Sequence, residues 1–405
     1  MALTSRPSCE AADAADPLAH ALERFLVDGA RIYMDGNSLG PPPAAALDAV
    51  TKVVRDQWRG GLISSWNRAG WLDQPFLLGD QVGELIGAAP GQVAICDSTS
   101  VNLFKLLAAT LAHGRAEGRR AIVTTDDNFP TDLYVAGAAA ELAGGTVLLS
   151  GAAGVDSGTA ALTLSHVDYR TGRMLDMAAI TAASHGAGAM VVWDLSHSAG
   201  AVPLALDEWG VDLAVGCTYK FLNCGPGAPA FLYVARRWQP VLANFVRGWF
   251  GHADPFAFSP AFTPAPGIAR FMSGTPGIIG LAPVAAAMEA WSGVSMADVR
   301  AKSVAIAELL IERIDALGLE VASPRAAAER GSQVSVRSAE GYGLSRALGE
   351  AGVVVDFRPP DIVRFGITPL YLRFVDAWDA MDGLASVIAA GAHRDARWAE
   401  RARVP

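Results

Sequence analysis

An open α/β fold built on a mainly parallel sheet is predicted by three short apolar runs within one stretch, Ala189 to Val234. The first, Ala189-Met-Val-Val-Trp193, reads as a buried strand with Asp194 at its C-terminal end. The second, Leu213-Ala-Val-Gly216, is followed by Thr218-Tyr219-Lys220, and the third, Ala230-Phe-Leu-Tyr-Val234, is entered through a Gly225-Pro-Gly227 turn. Open α/β sheets bind ligands outside the carboxyl ends of their strands. One carboxylate and one lysine are therefore predicted to face the same crevice.

That pairing is what pyridoxal phosphate chemistry needs. A lysine amine can bond the cofactor aldehyde, and a carboxylate beside the pyridine nitrogen keeps the ring protonated and electron-accepting. His197, three residues past Asp194, is placed to orient that carboxylate or to lie against the ring. Lysine is scarce, occurring only at positions 52, 105, 220 and 302. The other three fall in amphipathic helical contexts and read as solvated charges. Lys220 lies between apolar runs beside glycines and a tyrosine, where burying it without a role would be costly. Two readings stand for it: a lysine that bonds a cofactor, or one that caps a turn and reaches water.

Bulk properties narrow the classes. A chain of 405 residues, 51% hydrophobic, can bury a sizeable core. With 18% charged residues and a formal net charge of -9, it does not suit nucleic acid or an anionic membrane surface. Cys9, Cys96, Cys217 and Cys224 form no CxxC pair and no metal-ligand cluster with histidine. They read as buried small hydrophobes, reduced as in a cytoplasm, and no metal is expected. The N-terminus has neither a basic nor an apolar signal region, and no apolar run approaches the ~18 residues of a membrane span. A soluble cytoplasmic protein is the expectation.

The elements follow in order. Residues up to Asp28 read as a polar arm with a short helix, Leu18 to Val27, and Arg31–Met34 as a short strand. Asp35-Gly36-Asn37 signals a turn, and Pro41-Pro42-Pro43 opens a helix from Ala44 to Trp58. Trp66 to Trp71 reads as irregular, Leu77–Ile86 as a helix and Val93–Cys96 as a strand. Ser98-Thr99-Ser100 then begins a helix through Ala112. It is either a plain N-cap or, after a strand, a phosphate cradle of free N–H groups and helix dipole; the lysine and aspartate downstream favour the cradle. Ala121–Thr125 is a strand, and Phe129 in the loop after it could stack on a flat cofactor, with Asp132 capping the next helix or bonding near the phosphate. Val147–Leu149 and Leu162–Ser165 are further strands, and a helix from Asp176 to His185 leads into the Asp194 strand. Gly186-Ala-Gly188 precedes a strand rather than following one, which rejects a dinucleotide fingerprint. The Gly-, Pro- and Phe-rich segment Trp249 to Pro276 is too long for a simple connection. A helix from Ile278 to Trp291 and a long one from Asp298 to Leu317 lead into alternating short strands and helices, a small α+β domain. The expected organisation is an arm over 1–43, a large domain over 44–295 and a small domain over 296–405.

The ordered set Met34-Asp-Gly-Asn-Ser-Leu-Gly40, Asp97-Ser-Thr-Ser-Val-Asn-Leu103, Asn128-Phe-Pro-Thr-Asp132, Val167-Asp-Tyr-Arg-Thr-Gly172, Trp193-Asp-Leu-Ser-His-Ser-Ala-Gly200, Thr218 to Gly227, Gly248-Trp-Phe-Gly-His252 and Arg364 to Tyr371 resembles the kynureninase family. These are fold-type I pyridoxal phosphate enzymes of the class V aminotransferase group. The resemblance implies L-kynurenine hydrolysis to anthranilate and L-alanine. It implies Lys220 as the cofactor-bonding lysine, Asp194 as partner of the pyridine nitrogen and His197 beside the ring. It implies Thr99 and Ser100 as the phosphate pair, Phe129 as the stacking residue, Asp132 as the aspartate ending its motif and Tyr219 as phosphate contact and proton shuttle. Trp249 and Thr275 match residues reaching the neighbouring subunit's phosphate, which implies a homodimer with shared sites. Arg364 matches the arginine for the substrate carboxylate, with Ser38 and Trp66 as further substrate residues. Trp66 and Gly274 offer little to a ring hydroxyl, so unsubstituted L-kynurenine is expected over 3-hydroxykynurenine. Asp168 stands where an asparagine is expected and carries no assigned role.

Two alternatives remain open. A class V lyase or transaminase shares the lysine, although a desulfurase needs a late catalytic cysteine and none follows Cys224. A non-catalytic cofactor-binding protein should have lost part of the residue set, and none is missing.

Overall fold

The computed structural model describes residues 3–402. Its larger sheet has seven strands in the spatial order Val93–Ile95, Phe231–Val234, Leu213–Gly216, Met190–Asp194, Thr159–Ser165, Ala121–Val123 and Thr146–Leu148. Pairing is parallel throughout except at Phe231–Val234, which runs against both of its neighbours. The central strands Met190–Asp194, Leu213–Gly216 and Phe231–Val234 are buried along their whole length. That burial explains their continuous apolar runs, since a sheet covered on both faces needs no polar alternation. Helices Thr99–Gly114, Pro130–Ala143 and Met177–Gly186 connect the parallel strands.

A second layer is a four-stranded antiparallel sheet, ordered Asp356–Arg358, Ile362–Gly366, Gln333–Arg337 and Glu320–Val321. Its core, centred on Val334, Val336, Phe357, Val363 and Phe365, is shared with helices Met296–Ala316, Gly341–Glu350 and Phe374–Ala389. The N-terminal segment is divided between the two layers. Cys9 and Met34 belong to the core of the smaller sheet, whereas Leu18, Ala21 and Phe25 belong to that of the larger one. Ile32–Tyr33 pairs in parallel with Val353–Val354.

Several elements depart from the expectations. The polar arm holds a helix, Arg6–Ala14, started by Ser5, which exchanges capping bonds with Ser8. Asp13 then accepts the N–H groups of Phe374 and Val375 at 2.7 and 3.0 Å, so it caps a helix distant in sequence. The helix expected to run to Trp58 is α-helical only over Ala46–Lys52 and continues as a wider π-turn over Val53–Trp58. Trp66 sits in a short helix, Ser65–Arg68, rather than in irregular chain.

The larger correction concerns lysine. Lys105 and Lys302 are buried, not solvated. Lys302 donates to Asp16 at 2.6 Å and to the Pro369 carbonyl at 2.8 Å. The Lys105 amine, fully inaccessible, is bonded to the Asp97 carboxylate and to the Phe271 carbonyl at 2.9 Å. A lysine can be taken out of water when a carboxylate and a carbonyl replace its hydration. All four cysteines are buried with free thiols. No single helix among the described residues is long and apolar enough to cross a membrane.

Two outcomes follow from these buried charges. Lys105→Met leaves Asp97 without its cation and is expected to cost about 3–5 kcal/mol, read by urea unfolding; Lys105→Met with Asp97→Asn should recover part of the loss. His166 is buried against Trp193 with its Nδ1 2.9 Å from the Ser198 hydroxyl, and burial lowers its pKa to about 4. The unfolded chain therefore takes up a proton there before the folded one does. Stability should fall by about 3 kcal/mol as pH drops from about 6.5 to about 4, and His166→Gln should flatten that limb of the unfolding profile.

Candidate active site

The loops at the carboxyl edge of the larger sheet converge on one cleft of about 260 Å³. After the strand Val93–Ile95, Asp97 adopts φ +47°, a left-handed conformation that suits an aspartate held by Lys105. Ser98 then caps the helix Thr99–Gly114 by accepting the Val101 N–H at 3.4 Å. The first N–H groups of a helix have no partner within it, and the side chains of Thr99 and Ser100 line the cleft beside them.

Opposite stands Phe129, at the start of the helix Pro130–Ala143. Its loop is fixed by Asn128, whose Oδ1 accepts the Phe129 N–H at 2.9 Å and the Ser165 hydroxyl at 2.8 Å. The Asn128 Nδ2 donates to Thr124 at 3.1 Å. Asp194 ends its strand and accepts the Ser196 N–H at 2.7 Å. Asp132 faces it from the neighbouring helix. Burial and the Asp194 charge raise the Asp132 pKa well above the usual carboxylate range, and its Oδ2 is buried without a partner.

Lys220 lies 3.0 Å from the His197 Nε2 and 5.9 Å from the centre of the Phe129 ring. Burial, then the Lys220 charge, lowers the His197 pKa well below its usual value, and the Nδ1 of this ring has no partner. The lysine loop is held by the arm. The Gly40 N–H donates to the Tyr219 carbonyl at 2.8 Å, and a Cβ at Gly40 would stand 2.4 Å from the Lys220 carbonyl. Burial raises the Tyr219 phenol above its ordinary range, so it stays protonated.

Arg364 comes from the smaller sheet and is buried. Its Nε and Nη2 engage Asp356, Nη2 also reaches Ser38 at 2.9 Å, and Nη1 donates to the Tyr169 carbonyl. The Tyr169 ring meets Phe129 edge-on at 5.2 Å. Tyr169 belongs to a turn closed by Asp168, whose Oδ1 accepts the Thr171 N–H and hydroxyl at 2.7 and 2.5 Å. Asp168 therefore has a structural job that asparagine could share.

Lys220, Tyr219, Asp194, His197, Asp132, Phe129, Thr99 and Ser100 thus line one cleft, with Arg364 and Ser38 joined to it through Tyr169. Trp66, Trp249 and Thr275 do not line it. Trp249 donates to Thr275 at 3.1 Å and meets Trp66 edge-on at 6.1 Å, in an aromatic group with Trp71 and Phe250. Sequence reading missed Tyr169, which lines the cleft, and Asn128, Asp356 and Arg358, which are joined to it by bonds to Phe129, Arg364 and Ser38. A signal existed for the last two: they are charges two apart on an otherwise apolar strand, hence on one face.

The cleft fits pyridoxal phosphate. A phosphate would meet the helix start at Thr99 and Ser100. The two facing carboxylates, with one oxygen orphaned, suit a protonated pyridine nitrogen, and Lys220 could hold the aldehyde.

Residues 299–384 match the family model of the kynureninase C-terminal domain. The chain is 44% identical to the kynureninase of Pseudomonas fluorescens, covering 95% of this chain and 96% of that protein. It is 45% identical to the kynureninase of Burkholderia pseudomallei strain 1106a, over 99% of this chain and 100% of that one. Among solved structures, a cysteine desulfurase from Escherichia coli superposes with TM-score 0.77 at 16% identity, covering 92% of this chain and 98% of its own. The cystine C–S lyase C-DES, solved with glycine covalently linked to its PLP cofactor, superposes with TM-score 0.76 at 20% identity, covering 87% of this chain and 96% of its own. These structural likenesses bear on the fold alone. The sequence likeness runs the length of the chain and agrees with the site, and the chain belongs to the kynureninase family.

Proposed function

We propose that this enzyme hydrolyses L-kynurenine to anthranilate and L-alanine with pyridoxal phosphate as cofactor. The observation that carries the reading is the meeting, in one cleft, of Lys220, the Asp132–Asp194 carboxylates and a helix start, with Arg364 set beyond them. Bound there, the cofactor supplies an aldehyde for amines and a ring that takes up the electron pair of a breaking bond at the substrate. Thr99 and Ser100 would hold its phosphate, Phe129 would pack against its ring, and Asp194 would keep its nitrogen protonated, with Asp132 and His197 lining the same cleft.

Lys220 is the proton carrier. It takes the α-proton from the substrate and returns one, and the neutral His197 ring at 3.0 Å accepts a hydrogen bond from its amine. Tyr219, kept protonated by burial, is the donor that completes alanine. Arg364, with Ser38 bonded to it, marks the side of the cleft where the α-carboxylate binds. A desulfurase reading lacks its nucleophile, since all four cysteines are buried and none follows Cys224.

The finer readings rest on particular contacts. The arm 1–43, large domain 44–295 and small domain 296–405 are supported by separate apolar cores, two on the faces of the larger sheet and one at the smaller sheet. A homodimer is supported by exposed apolar side chains at Trp58, Leu62, Ile63, Phe256 and Phe258. The last two are continuous with Trp249, which with Thr275 would then reach the partner's phosphate site. The cytoplasm is the compartment that suits four unpaired thiols. Preference for unsubstituted L-kynurenine rests on Trp66 in an apolar aromatic group and on Gly274, beside which lies open space and no polar group.

Purified protein loaded with pyridoxal phosphate should release fluorescent anthranilate from L-kynurenine, with clearly lower kcat/KM on 3-hydroxykynurenine. Lys220→Ala should abolish turnover while the phosphate contacts still retain cofactor; turnover by that variant would overturn the assignment. Trp249→Ala should shift sedimentation towards the monomer and weaken cofactor retention together; loss of neither would remove the shared-site reading.

A further inference from the structure

Arg364 is the expected anchor for the substrate carboxylate, yet its hydrogen-bonding capacity is nearly spent. A guanidinium has five N–H donors. The Nε–H and one Nη2–H are on Asp356, the second Nη2–H is on Ser38, and one Nη1–H is on the Tyr169 carbonyl. A single donor is left, so Arg364 cannot offer the two-point fork that makes arginine effective towards carboxylates. Its charge is also cancelled. Burial pushes the Asp356 carboxyl up, but the Arg364 and Arg358 guanidiniums hold it below its usual range, hence ionised. Arg364 and Asp356, with 1% and 4% of their side chains accessible, form a neutral buried pair.

The remaining positive charge belongs to Arg358; the nearby Asp35 carboxyl also acts on it, but burial and the Asp356 charge raise that carboxyl's pKa to about 7. Its Nη2 lies 2.8 Å from Asp356 and 3.1 Å from the Ser38 hydroxyl. Ser38 itself donates to Asp356 at 2.6 Å, so the hydroxyl is filled by two incoming guanidinium bonds and one outgoing bond. The Nε and Nη1 of Arg358 have no protein acceptor among the described residues. Its side chain is 30% accessible, and its charge acts on His197 and Tyr219, which line the cleft. We propose that Arg358 is a second substrate-binding residue, sharing the α-carboxylate with the one open donor of Arg364. Asp356 is the positioning residue that fixes both guanidiniums. Two cations around Asp356 and the partly ionised Asp35 leave an excess of positive charge, which the incoming carboxylate neutralises.

The inference rests on the hydrolase reading only in requiring an α-amino acid ligand. L-alanine, the smaller product, and L-alaninamide, its uncharged analogue, separate the two questions when titrated into cofactor-loaded protein by the absorbance of the bound cofactor. Arg358→Gln should weaken L-alanine about tenfold to a hundredfold and leave L-alaninamide within about twofold. The KM for L-kynurenine should rise by the same factor with kcat little changed, and Arg358→Lys, which keeps the charge, should recover part of the loss. Equal weakening of both ligands would reduce Arg358 to a brace for Asp356, and unchanged L-alanine affinity would remove it from the site; either overturns the proposal. If Arg358→Gln fails to fold, Arg358→Lys against wild type on the same two ligands decides, since a lost fork with retained charge must still discriminate against L-alanine alone. Absence of kynurenine turnover with the alanine discrimination intact would overturn the hydrolase reading and leave this one standing.

Discussion

Charge brought to the carboxyl edge of a buried sheet has to be neutralised there, and the rest of the site is arranged around that constraint. An isolated ion in such a place is too costly to keep. The Lys105–Asp97 pair answers it completely, with the Phe271 carbonyl supplying a further acceptor. It fixes the turn from which the helix at Thr99 starts, and nothing is left over for a ligand. The cleft answers it incompletely: Asp132 faces Asp194 with an orphaned oxygen, the Nδ1 of His197 has no acceptor, and Arg358 exceeds the negative charge available to it. Complete compensation marks scaffold and incomplete compensation marks the places where a bound molecule finishes the structure.

The same site depends on two sheets meeting in register. Tyr169 performs much of that work, with its ring on Phe129 of the larger layer and its carbonyl on Arg364 of the smaller one. Neighbouring bonds reinforce it: the Arg170 carbonyl accepts the Ser335 hydroxyl at 2.6 Å, and the Thr171 carbonyl accepts that of Ser323 at 2.6 Å. From the other side the arm lays Gly40 against the lysine loop while Ser38 touches both arginines. Segments more than three hundred positions apart in the chain thus define a few ångströms of space.

Much of this was legible in the sequence, and for identifiable reasons. Buried strands announce themselves by uninterrupted apolar runs, so the Asp194, Gly216 and Val234 strands could be bounded closely. Lys220 and Asp194 follow from where those runs end. What stayed hidden depended on partners remote in sequence. Lys105 and Lys302 look like ordinary helix-surface lysines until Asp97 and Asp16 are seen beside them. The helix Arg6–Ala14 was hard to see because its inner face is made of Cys9 and alanine rather than large apolar residues, and Asp13 ties it to the helix at Phe374. The spent donors of Arg364 could not be counted from sequence at all, since they go to the arm, the neighbouring strand and the Tyr169 turn.

Lys220 is bracketed by two thiols, Cys217 and Cys224, both enclosed. Burial raises the pKa of each, so neither carries appreciable thiolate. Oxidants attack the thiolate, and they need access to it. The cofactor loop is therefore chemically quiet towards peroxide and disulfide exchange even though sulfur lies on both sides of its reactive amine. Oxidation of either of these thiols would have to wait for the loop to open.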